Sequence, residues 1–195
     1  MRWVWIALAV IAALVLLTAI AGALLPVAHV AARRARFAQP PRALWAAITD
    51  LDAMPQWRED LQRIERLSDR GGRPCHREIT GFGPIDLCVE VSEPERLRIT
   101  RIVTGRSPFG GTWTWQLAAD GDGTVLTITE HGEVYNVFFR ALSRFVFGHT
   151  ATIDGVLKAL GAKFGEAPAI APAEPAARPA PPPGSGTPGS GTSGR

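Results

Sequence analysis

The side chains best suited to acid–base or metal chemistry are the histidines at 29, 76, 131 and 149 and the cysteines at 75 and 88. A metal site gathers three or four such ligands, and nucleophilic catalysis needs a nucleophile, its base and an orienting group. His131 stands between Glu130 and Glu133, but charged residues near a strand end are ordinarily just solvated. His29 adjoins an apolar run and reads as an interfacial residue, while His76 is expected to point outward from a strand, opposite to Cys75. His149 differs, because it falls on the apolar face of a long helical pattern. There it is expected to be a satisfied core residue or a polar contact to a ligand held inside a cavity. No G-x-S-x-G elbow, phosphate-binding glycine loop or Cys-x-x-Cys pair occurs. Asp120-Gly-Asp-Gly123 lacks the downstream glutamate of a calcium loop and reads as a hairpin turn. Neither a metal nor a cofactor is expected.

Cys75 and Cys88 straddle Gly81-Phe82-Gly83. A three-residue loop centred on Phe82 pairs Ile79 with Ile85. Register then turns Cys75 inward, and Cys88 outward with Asp86 and Glu90, since a one-residue slip reverses every side chain. Both cysteines are therefore expected to be free.

The elements that must position these groups begin with an apolar run. From Trp3 to Ala28 there is no charged side chain, and about 20 such residues cross a bilayer core as a helix. Trp3 and Trp5 lie where interfacial aromatics sit, arginines lie beyond both ends, and Pro26 stops the helix. A signal peptide is the rival reading, with small pairs at Ala19/Ala21 and Ala21/Ala23, but the run is longer than a signal core. Residues 1–28 therefore read as a transmembrane anchor in the cell (inner) membrane. Residues 29–33 read as a linker and 34–166 as one domain. The segment 167–195, with eight of the sixteen prolines and no aromatic residue, reads as a disordered Pro/Ala/Gly/Ser tail. Net charge is only +3, and no basic block is interleaved with aromatics, so nucleic acid is not an expected partner. Arg33, Arg34 and Arg36 form one basic cluster, expected to meet lipid headgroups. Positive charge near the anchor and free cysteines both favour a cytoplasmic domain. The sequence carries no signal of oligomeric state.

Within the domain, a short strand at Arg34–Ala38 precedes Pro40-Pro41 and a short helix. Turn signals at 69–72, 81–84, 92–95 and 120–123 divide a meander of alternating runs, clearest in Thr112-Trp-Thr-Trp-Gln-Leu117. Apolar residues then recur at steps of three or four from Asn136 to Phe164, with Gly148 marking a bend. This order, with Pro41-Arg-Ala-Leu-Trp45, Pro55-Gln-Trp57, Phe109-Gly-Gly-Thr-Trp-Thr-Trp115 and Thr127-Ile-Thr-Glu130-His-Gly-Glu133, resembles the START-like superfamily. That superfamily is also called polyketide cyclase/dehydrase, Bet v 1-like or SRPBCC. The resemblance implies an α+β helix-grip fold, a curved antiparallel sheet wrapped around a long C-terminal helix. It also implies a cavity between the two, used in many members for lipids or other apolar ligands.

On that reading Trp57, Trp115, Phe138, Leu142, Phe145 and His149 are the candidate cavity wall. The expected function is a membrane-anchored binding protein for a lipid or other hydrophobic small molecule. A cavity enzyme of the cyclase/dehydrase type, using His149 and Glu78 or Arg77, is the alternative. A structural interaction module with a filled interior is the second. A cavity well below about 300 Å3 would exclude a ligand, and a His–carboxylate pair inside it would favour the enzyme. The five residues Ala28–Ala32 are expected to tether the domain within about 18 Å of the membrane, so that lengthening them slows ligand loading.

Overall fold

The computed structural model describes residues 1–103 and 108–179. Helix α1 (Arg2–Leu24) is uncapped and has no acidic or basic residue to match a helix dipole in water. Its 23 residues span about 35 Å, long and apolar enough to cross a membrane. Strand β1 (Ala28–Phe37) starts only three residues later. The segment expected as a linker is thus already sheet, and twenty residues inserted at 29–32 would break β1 rather than loosen a tether.

Helix α2 (Pro41–Thr49) begins with proline at its first position and buries Leu44, Ala47 and Ile48. A 3-10 turn (Met54–Gln56) leads into β2 (Leu61–Arg70). The meander continues as β3 (Arg73–Thr80), β4 (Gly83–Glu93), β5 (Leu97–Ile102), β6 (Phe109–Asp120) and β7 (Gly123–Val134). With β1 and a short β8 (Ile170–Pro172) they form one eight-stranded sheet in the order β2-β3-β4-β5-β6-β7-β1-β8. Every pairing is antiparallel.

The C-terminal helical pattern divides in two. Helix α3 (Val137–Leu142) is capped by Asn136, whose side chain accepts from the Phe138 and Phe139 N–H groups. A π-helical turn (Ser143–Phe147) follows, and the chain then breaks at Gly148, where φ is 75°. That left-handed value is easy for glycine and costly for residues with a Cβ, so the expected bend is a full interruption. Helix α4 (Ala151–Lys163) is the one the sheet grips. Its Ile153, Val156, Leu157 and Leu160 meet Ala35, Phe37, Leu117, Leu126 and Ile128 from the concave face in one core, which also holds Trp57 and Trp115.

The shorter helix α3 packs on α1 instead. A Cβ on Gly22 would stand 1.8 Å from the Val137 carbonyl oxygen, so only glycine lets α1 and α3 approach this closely. Arg140 Nη1 also donates to the Leu25 carbonyl at 3.0 Å. The start of the expected tail is likewise occupied. Ile170–Pro172 pairs with β1, the Ala176 N–H donates to Thr129 Oγ1 at 3.0 Å, and Arg178 reaches Glu133. The rest of that tail, 180–195, lies outside the described residues.

The β3–β4 hairpin corrects the cysteine expectation. Thr80 pairs with Gly83, so the loop is the two residues Gly81-Phe82. Ile79 then faces Pro84, Cys75 falls directly opposite Cys88, and the two form a disulfide. The same one-residue change turns His76, expected outside, onto the inner face, where it is 3% exposed.

Candidate functional site

Directly opposed residues share a face of an antiparallel sheet. On the concave face this rule places His76 with Leu87, Glu78 with Ile85, Val89 with Thr100, and Arg98 with Trp115. The β1–β6–β7 side of that face is apolar and packs on α4. The β2–β5 side carries ionisable groups that are nonetheless buried: Arg58, His76, Glu78 and Arg98.

Arg58 enters this cluster from the loop after the 3-10 turn, where its backbone N–H donates to the Met54 carbonyl. Its Nε and Nη2 donate to the two carboxylate oxygens of Asp60, at 3.1 and 2.5 Å. Its Nη1 donates to Glu78 Oε1 at 3.2 Å. His76 Nε2 lies 3.6 Å from the same Glu78 oxygen. Burial pushes the Glu78 carboxyl up, but Arg58 and then His76 outweigh it and hold it below the ordinary glutamate range. Burial likewise opposes the charge of Arg58, and Glu78 and Asp60 more than restore it. Arg58 and Glu78 are thus both charged and both matched.

Arg98 is different. It is 8% exposed, and its guanidinium has no hydrogen-bond or ion-pair partner among the described residues. Burial lowers its pKa, and the attraction of Glu78 only partly compensates.

Of these groups His76 and Arg98 border a cleft of about 490 Å3 between the end of α2 and strands β2–β5. Its wall includes apolar Leu51, Leu67 and Val89, with His76, Arg73 and Arg98 as polar members. The volume lies within the range of small-molecule sites. A second cavity of about 80 Å3, at the α1 end of the domain, is bordered by Leu25, His29, Arg140, Arg144 and His149. It is too small for a comparable ligand.

His149 belongs to this smaller space, with its ring stacked on His29 at 4.2 Å between centroids. Burial, and then His29, lower its pKa. Trp57 and Trp115 lie in the core beneath the cleft. Phe138 and Phe145 are 41% and 69% exposed, on the helical segment beside α1, and Leu142 near them is half-buried. None of these three borders the cleft, because the break at Gly148 separates their segment from the gripped helix. The arginines of β1 are not gathered at the α1 end either. Strand alternation turns Arg33 inward to Asp154 of α4 at 3.0 Å, and Arg36, near the far end of β1, pairs with Asp120 at 2.6 Å. Arg34 alone of the three stays exposed without a side-chain partner among the described residues. The cluster of Arg58, His76, Glu78 and Arg98 was not singled out from the sequence. Its one local signal is the i, i+2 spacing of His76 and Glu78, which share a strand face.

The family model described as "Polyketide cyclase / dehydrase and lipid transport" matches residues 28–165. No curated protein sequence matches the chain. Among solved structures, a START superfamily protein from Mycobacterium smegmatis is 19% identical with a TM-score of 0.56, over 69% of this chain and 96% of that one. Norcoclaurine synthase from Thalictrum flavum is 12% identical with a TM-score of 0.55, over 77% and 92%. The di-domain ARO/CYC of the steffimycin biosynthetic pathway is 15% identical with a TM-score of 0.53, over 68% of this chain and 50% of that one. At these identities the likeness is one of fold.

Proposed function

Since the chain belongs to the polyketide cyclase / dehydrase and lipid transport family, we propose that it is a membrane-anchored binding protein for a hydrophobic small molecule. The ligand is held in the concave cleft. The observation that carries this reading is the cleft itself: about 490 Å3, with Leu51, Val89, His76 and Arg98 in its wall. The anchor is α1, whose side chains remain uncovered by the domain apart from Gly22 and its half-buried neighbours. The arginines of β1 do not serve together as its lipid contacts, since Arg33 is paired with Asp154 of α4 and Arg36 with Asp120 on the surface near the far end of β1. The Cys75–Cys88 disulfide supports placing the domain on the oxidising side of the membrane. This reverses the side suggested by free cysteines.

Native mass spectrometry of the full chain, extracted from membranes in mild detergent, tests the reading. The expected result is a bound species of a few hundred daltons that survives removal of bulk lipid. A chain that is bare under conditions preserving its disulfide and fold would refute ligand binding.

One observation favours a second reading, an enzyme of the cyclase/dehydrase type: His76 stands at the cleft wall with the Glu78 carboxylate 3.6 Å from its Nε2. Arg58 holds Glu78 as a carboxylate, which would orient His76 as a base. Bound species differing in mass by one water would favour this reading over simple binding.

A further inference from the structure

Two arginines lie deep on the concave face, and they differ in one respect. Arg58 has two carboxylates, Asp60 and Glu78, within ion-pair distance. Arg98 has none, although it is as buried as Arg58 (8% against 7% exposed). A buried charge without a partner is costly, because desolvation is not repaid by a counter-charge or by hydrogen bonds. Glu78 is already engaged by Arg58 and His76. The rim residues Arg73 and Asp69 are opposite in sign and more open to solvent. Arg98 therefore stands as an unmatched cation in the wall of a cleft that also presents Leu51 and Val89, and whose Arg66 and Glu90 are engaged by Asp52 and Arg101.

We propose that Arg98 is the anchor for a carboxylate carried by the apolar ligand of the cleft. The body of the ligand packs on Leu51 and Val89, and its acid group meets the Arg98 guanidinium. The inference rests on the ligand-binding reading above and narrows it to a class of ligand, apolar acids. A guanidinium matches a carboxylate through two parallel N–H···O bonds. One deeply buried cation suits a monoanion better than a doubly charged phosphate, since Arg58 is already spent on protein carboxylates and Arg73 lies at the more open rim.

The test compares cis-parinaric acid with its methyl ester on the full chain in phosphatidylcholine nanodiscs. Trp3→Phe and Trp5→Phe remove the tryptophans of α1, so that quenching reports the domain. The wild-type cleft is expected to bind the acid about 30-fold more tightly than the ester, the worth of a charge-assisted hydrogen-bond pair. Arg98→Met is expected to lower acid affinity to that of the ester and leave the ester unchanged. Arg98→Lys, which keeps the charge but not the fork, is expected to retain part of the preference. Equal wild-type affinity for acid and ester would overturn the role of Arg98 while leaving the ligand reading intact. That comparison needs no variant to fold. Stronger displacement by dodecyl phosphate than by the acid would overturn the carboxylate assignment. Binding of neither probe would overturn the ligand reading, and this inference with it.

Discussion

Replacing Glu78 by leucine is expected to destabilise the domain by about 3 kcal/mol, because it removes one partner of a buried ion pair and leaves the other charge behind. Glu78 is 9% exposed and is the one carboxylate that acts on both deep arginines. Asp60 still compensates Arg58 in the variant, which keeps the cost toward the low end. Urea unfolding followed by tryptophan fluorescence would read the change as a lower midpoint at unchanged slope. Glu65→Ala is the matched control, since its bond to Arg63 is on the surface and is worth about 1 kcal/mol or less. The double replacement of Arg58 and Glu78 by apolar residues should recover part of the loss. The carboxyl of Glu78 titrates below its ordinary range in the folded state. Its contribution is therefore fully present at neutral pH and is lost as pH falls below about 4, through the folded value. Glu78→Leu should flatten that part of the acid unfolding curve. A variant as stable as wild type, with the same acid limb, would show that the cluster is not a coupled ionic unit.

Breaking the Cys75–Cys88 disulfide is the second large effect. The bridge joins residues 13 apart in sequence, and closing a loop of that length stabilises by about 3 kcal/mol. Cys88→Ala with Cys75→Ala should thus lower the melting temperature by roughly 10 °C. Both sulfurs are buried, beside the Arg77–Asp86 pair, so slow reduction is expected while the domain stays folded. Maleimide added to protein unfolded without reductant should label neither cysteine. An alkaline phosphatase fusion after residue 179 should be active. Two labelled cysteines and an inactive fusion would return the domain to a reducing compartment.

The order of elements was legible because each piece carried its own pattern. Trp113, Trp115 and Leu117 alternate on β6, proline opens α2, and glycine marks the break at 148. The packing of α4 on the sheet followed from Ile153, Val156 and Leu160 at helical spacing. The site was much less legible. Whether Gly81-Phe82-Gly83 gives a two- or a three-residue turn is a small difference in local energy, yet it decides the faces of Cys75, His76 and Glu78 together. Arg58, Glu78 and Arg98 come from a loop and two strands, and no spacing in the chain announces that they meet. Phe138, Leu142 and Phe145 fit the period of the gripped helix. Only the interruption at Gly148, and the packing of α3 against Gly22, assigns them to the anchor side.

The central claim is that the ligand sits in the concave cleft and not merely in the surrounding lipid. Photo-crosslinking with a diazirine-bearing fatty acid, followed by peptide mapping on the full chain in nanodiscs, tests it most directly. Crosslinks are expected within residues 66–76 and 89–98, which supply most of the cleft wall, and an excess of unlabelled fatty acid should suppress them. Crosslinks confined to α1 and residues 137–147, and insensitive to competitor, would contradict the claim.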